Sequence, residues 1–171
     1  LKKLEYSIES KQEFYDTYKK VLLHEKSLVD LSKENLDILY NNTEKLINAC
    51  DEKGIDIINR DSNYYPENFK KIKNAPIFLF SKGNKNILNN NKYCAVIGSR
   101  EPTEYGLKIS YKISELLSNN NVIIVSGLAL GCDTQAHLAC VNNKKPTIAI
   151  MPSGLDNILP KQNIALAEDI L

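Results

Sequence analysis

The chain is predicted to be an α/β protein: a Rossmann-like, doubly wound and mainly parallel sheet, preceded by a small helical N-terminal region. Three observations carry this. From Ile77 onward, short apolar runs rich in β-branched residues ("IFLF", "YCAVI", "VIIV", "TIAIM") suit strands buried on both faces. Amphipathic segments separate the last three runs, and strand–helix–strand alternation at this spacing implies right-handed crossovers between parallel strands. The first 60 residues instead show helical spacing.

In "KQEFYDTYKKVLLHEKSLVDL", Phe14, Tyr18, Val21, Leu22 and Leu28 recur near helical periodicity, and His24 falls on the polar face. Second and third helices are predicted over Lys33–Tyr40 and Thr43–Lys53, with Asn42 or Thr43 as cap and Gly54 as the C-terminal stop. "GIDII" reads as a short edge strand. The polar stretch "NRDSNYYPENFKKIKNAP", broken by Pro66 and Pro76, links to the second half. There, Glu104–Ser118 is a helix whose inward face is marked by Tyr105, Ile109, Ile113, Leu116 and Leu117. Asp133–Val141 is the next helix, with Asp133 as its N-cap. The asparagine clusters at 89–91 and 119–121 are solvated turns.

Composition narrows the function. A net charge of +1 supplies no bulk field toward nucleic acid or membrane, so any bound anion must be held locally. Lys82, Lys85 and Lys92 form only a loose basic loop. Cys50, Cys94, Cys132 and Cys140 contain no C-x-x-C pair and read as reduced thiols of a cytoplasmic protein; no metal is expected. The longest apolar run, Val122–Cys132, is broken by Ser126 and Gly127, so no membrane span is expected. "LKKLEYSIES" is not a signal peptide, and the start at Leu1 reads as a trimmed one.

Loops leaving the carboxyl ends of parallel strands share one edge, where ligands bind. Here those loops are "GSREPTEYG", "SGLALGCD" and "PSGLDN". Their glycines admit close approach to an anion, and Arg100 is the one fixed cation among them. The anion is placed against Gly98–Arg100 and the amides near Ser126–Gly127. Asp133 and Asp156 are expected to satisfy their own turns, and Asp133 with His137, four residues on, to form a structural pair. No cofactor is expected: G-x-G-x-x-G is absent, and no acid ends the strand near Ser126.

Four runs in order, "YYPENFKKIKNAPIFLFSKGN", "AVIGSREPTEYG", "IVSGLALGCDTQAH" and "TIAIMPSGLDNILPKQN", resemble the DNA-processing protein A (DprA/Smf) family. The resemblance implies a SAM-like helical region over residues 1–60 and a Rossmann-like DNA-binding domain over 61–171. It implies a non-enzymatic protein that binds and protects single-stranded DNA and loads a RecA-type recombinase during natural transformation, working as a homodimer. The implied DNA-binding residues are Gly98, Ser99, Arg100, Ser126, Gly127, Leu128, Ala129 and Gly131. Gly106, Asp133, His137, Gly154 and Asp156 belong to its structural motifs. Cys132 replaces a usual aliphatic residue, Pro152 a common glycine and Leu159 a tyrosine. The family also continues with a strand and a basic, aromatic stretch that would follow Leu171, so the chain reads as a fragment. The alternative is a nucleoside-monophosphate phosphoribohydrolase-like enzyme. That activity needs a P-G-G-x-G-T loop with a nearby glutamate, for which "MPSGLDN" is the nearest approach.

Overall fold

The computed structural model describes residues 10–24, 32–89 and 92–171, with the backbone alone for residues 20–24. The expectations for the side chains of Val21, Leu22 and His24, for Leu28 and for residues 90 and 91 of the first asparagine cluster lie outside what is described. Two compact units are present, residues 1–52 and 53–171.

The first unit holds α1 (Lys11–His24) and α2 (Lys33–Glu52). Each begins after a serine whose hydroxyl caps a backbone amide three residues on: Ser10 accepts from Glu13 and Ser32 from Asn35. Two separate helices were expected over Lys33–Lys53, but α2 is continuous. Thr43 does not cap a new helix; its hydroxyl donates to the Leu39 carbonyl at 2.8 Å, a bond made within a helix. Gly54 takes φ +63° just past the end, the left-handed conformation of a C-terminal stop. Between the helices, buried Tyr15 donates its hydroxyl to Asp37, and Lys11 pairs with the same carboxylate. Those two bonds, Lys11 first, hold the Asp37 carboxyl below the usual carboxylate range.

The second unit opens with β1 (Asp56–Asn59) and β2 (Phe78–Ser81), paired antiparallel with Ile58 opposite Leu79. "IFLF" was expected as a buried parallel strand. It instead alternates, with Phe78 and Phe80 about half exposed, because a two-stranded sheet packs only one face. The short α3 (Glu67–Lys70) lies between the two strands in sequence, and the fully buried Tyr65 donates to the Pro76 carbonyl.

Then follow β3 (Tyr93–Ala95), α4 (Glu104–Asn119), β4 (Ile123–Ser126), α5 (Cys132–Asn142), β5 (Thr147–Ala149) and α6 (Ile164–Ile170). Among the described residues the three strands form one parallel sheet, ordered β3-β4-β5, with Cys94 opposite Ile124 and Ile124 opposite Thr147. Central β4 buries Ile123 and Ile124, as its uninterrupted apolar run requires. Sequential order with right-handed crossovers puts α4 and α5 on one face of the sheet, where they pack on each other. The core joins Ile124 to Ala136 and Cys140, with Cys94, Val96 and Leu117 around them.

The inward face of α4 is only partly the expected one: Leu117 packs on the core and Ile109 is half-buried, but Tyr105, Ile113 and Leu116 point outward. Its buried residues are Ser110, Ser114 and Ser118, spaced four apart, while Tyr105 is 74% exposed and Leu116 65%. Small side chains let α4 approach α5 closely, and Ser110 donates to the Cys132 carbonyl across that seam at 2.7 Å. Cys50 and Cys140 are buried, Cys94 and Cys132 partly so, and all four are free thiols.

Candidate nucleic-acid interface

The carboxyl ends of β3, β4 and β5 lead into three loops, and the first two are locked together. Gly131 takes φ +82°, and a Cβ there would lie 2.4 Å from the Ser99 carbonyl and 2.8 Å from that of Arg100. A Cβ on Gly98 would come within 2.8 Å of both the Cβ and Sγ of Cys132. Only glycine permits either contact. The Cys132 amide donates to the Ser99 carbonyl at 3.1 Å, closing the corner.

On the open side of this corner lie Gly98, Ser99 and Arg100, all exposed. The Ser99 hydroxyl oxygen accepts from the Glu101 amide at 3.1 Å, leaving its proton to donate outward. The amides of Gly98, Ser99 and Arg100 make no hydrogen bond, and the Arg100 guanidinium no ion pair, among the described residues. Thr103 then caps α4 by accepting from Gly106 at 3.2 Å, with Gly106 set tightly against Pro102. A guanidinium, a hydroxyl and unspent amides on one corner can bind a phosphate.

The second loop differs from expectation. Ser126 is buried, and its hydroxyl donates to the Val96 carbonyl at 2.7 Å, tying the two loops instead of facing a ligand. The Gly127 amide donates to the Asp133 carboxylate at 3.1 Å and is spent. Leu128 is fully buried in a left-handed turn at φ +59°, so its side chain cannot line an open pocket. Ala129 and Gly131 remain partly exposed. The N-cap of α5 is Gly131, not Asp133, which instead reaches back from the first turn to Gly127.

Asp133 and His137 are both buried, but each has another partner. Thr147 donates its hydroxyl proton to the Ile124 carbonyl at 2.9 Å, so it must accept from His137 Nδ1–H, also at 2.9 Å. Nε2 is then the unprotonated nitrogen, with no hydrogen bond among the described residues. Burial lowers the His137 pKa to about 4, against the smaller opposing effects of Asp133 and the Ser126 backbone. The imidazole is a neutral core group beneath the loops.

One residue the sequence reading missed holds the second loop in place. Buried Asn163, preceding α6, donates to the Leu128 carbonyl and to Thr134 Oγ1, each at 2.8 Å, and to the Ala129 carbonyl at 3.4 Å. In the third loop, Asp156 pairs with Lys53 at 2.6 Å, a bond that lowers its pKa, and packs under Gly154. Both Gly154 and Asp156 are exposed.

Comparison with known proteins places this geometry. The chain is 32% identical to the Bacillus subtilis DNA processing protein DprA over 136 residues, covering 80% of this chain and 46% of that protein. It is 43% identical to the Streptococcus pneumoniae DprA over 106 residues, 62% of this chain and 37% of that one. The X-ray structure of S. pneumoniae DprA superposes with a TM-score of 0.64 at 30% identity, covering 96% of this chain and 50% of that one. The Helicobacter pylori DNA processing protein A, solved for its single-stranded DNA binding mode, superposes at 0.60 and 30% identity, covering 68% and 51%. The chain thus spans about half the length of these relatives or less. Residues 56–171 match the family described as DNA recombination-mediator protein A, and the chain belongs to that family.

Proposed function

We propose that this chain carries a single-stranded DNA-binding site of a recombination mediator. The polynucleotide is gripped by its phosphates at the sheet edge, with no covalent chemistry and no cofactor. The whole protein would act in the cytoplasm as a homodimer and pass the strand to a RecA-type recombinase. In this reading the three-stranded sheet is part of a wider doubly wound, Rossmann-like sheet, residues 61–171 bind DNA, and the N-terminal helices form a SAM-like region. The contacts fall on Gly98, Ser99, Arg100, Ala129 and Gly131, while Ser126, Gly127 and Leu128 support them from behind.

The observation that carries the reading is Arg100: an exposed guanidinium without an ion pair among the described residues, beside three amides that are also unspent. The likeness to the H. pylori protein solved for single-stranded DNA binding supports it. The phosphoribohydrolase alternative finds less support, because the third loop lacks P-G-G-x-G-T and its Asp156 is engaged by Lys53.

Fluorescence anisotropy with single-stranded and duplex oligonucleotides at two salt concentrations tests the proposal. The parent should prefer single strands, with log affinity falling against log salt by about 0.7 per phosphate contacted. Arg100→Ala removes a charge-assisted bond worth about 1.5–3 kcal/mol and should weaken binding by about 10- to 100-fold. Equal binding by parent and variant refutes the assignment. Release of free base from a nucleoside monophosphate would favour the enzyme.

A further inference from the structure

Beside the loop corner, one face of α4 and Gln135 of α5 line an open, shallow groove of about 370 Å³, at the small end of ligand-sized clefts. Its lining is Glu104, Leu107, Lys108, Tyr111, Lys112 and Gln135. The five α4 residues share one helix face over two turns, about 12 Å at 1.5 Å per residue. The upper end meets the phosphate corner directly. Glu104 follows the cap residue Thr103, and the Gln135 amide donates to the Gly131 carbonyl at 3.2 Å.

The chemistry of the lining is layered. Leu107 and Tyr111 are half-buried and form an apolar floor. The Tyr111 hydroxyl accepts from Asn142 of α5 at 3.2 Å, which fixes the ring between the helices. Lys108 and Lys112 are exposed on the rim and form no ion pair among the described residues. With Glu104 as the single acid, the lining carries a net charge of +1.

We infer that this groove is the track along which a single strand continues from Arg100, with phosphates at Lys108 and Lys112 and a base laid against Tyr111. The inference rests on the reading of the corner as a single-stranded DNA site. A fixed ring between two lysines suits an unpaired strand, whose bases are free to stack. A duplex keeps its bases stacked inside. An acidic peptide would use the lysines and leave the ring without a role.

The test separates the groove from the corner by strand length. Oligothymidines of about 5 and about 20 nucleotides bracket a site that covers the corner alone or corner and groove together. The Lys108→Gln/Lys112→Gln pair should leave the short strand within about twofold, because Arg100 is untouched. It should weaken the long strand by about tenfold and reduce the salt slope by about 1.4, two contacts at 0.7 each. Tyr111→Leu should lower long-strand affinity by about fivefold or more at unchanged slope. Circular dichroism melts monitor folding, and the exposed lysine pair carries the test if Tyr111→Leu is unstable. If the parent binds and Arg100→Ala impairs it while the lysine pair binds long strands normally, the groove inference is overturned and the corner stands. A polyglutamate peptide displaced only by the lysine substitutions, with strand binding intact, overturns it in favour of a protein partner. Absence of single-strand binding by the parent overturns both.

Discussion

Lowering the pH should destabilise the second unit through His137. The ring titrates at about 4 in the folded chain against an ordinary 6.5, because burial disfavours its charged form. The unfolded chain therefore takes up a proton below about pH 6.5, while the native state does not until about pH 4. This stability is complete above 6.5, falls as the pH drops, and levels off below 4. At 1.36 kcal/mol per unit, a shift of about 2.5 units sets a limit of about 3.4 kcal/mol. The same linkage gives a loss of about 1.4 kcal/mol by pH 5.5 and about 3 kcal/mol by pH 4. Urea denaturation at pH 7.5, 5.5 and 4 should show this slope in the parent beyond that of His137→Gln, which cancels the contribution of carboxylates. NMR should find the ring neutral down to about pH 4. Parallel pH profiles for parent and variant, or a ring that titrates near 6.5, would refute the argument.

Two substitutions test the packing. Asn163→Ala strips the buried Leu128 carbonyl of its donor, whereas the Ala129 carbonyl keeps the Thr134 amide and hydroxyl, and should cost about 1–3 kcal/mol in urea denaturation; Asn163→Asp, which cannot donate when ionised, should do at least as much harm. Ser114 is fully buried with no partner for its hydroxyl among the described residues. Ser114→Ala should therefore be neutral or stabilising by up to about 1 kcal/mol, whereas Ser114→Leu should cost about 1–3 kcal/mol by overfilling the seam, both read as shifts in melting temperature.

The parallel part of the fold was legible because a strand covered on both sides has no polar alternation, and "VIIV" displays that directly. The seam of α4 was hidden: "SYKISELLS" carries its contact surface as serines, so hydrophobic periodicity pointed to Tyr105 and Leu116 on the exposed side. Asn42 and Thr43 suggested the cap of a new helix, yet weak helix formers inside a long helix cost only fractions of a kcal/mol each. At the site, Arg100 and its glycines were legible as residue types demanding a tight turn. The inward roles of Ser126 and Leu128 were not, because backbone direction within a glycine-rich loop depends on distant partners. Asn163 holds the Leu128 carbonyl from 35 positions away, and nothing near it in the sequence marks that bond.

The contact between Gly131 and the carbonyls of Ser99 and Arg100 has a mechanical consequence. The two turns interlock like a tongue and its slot, so neither can lengthen by a residue without unseating the other. The start of α5 becomes a lever: a small tilt there would swing the backbone bearing the guanidinium. Grip on a strand at Arg100 would thus respond to a push on the far end of α5.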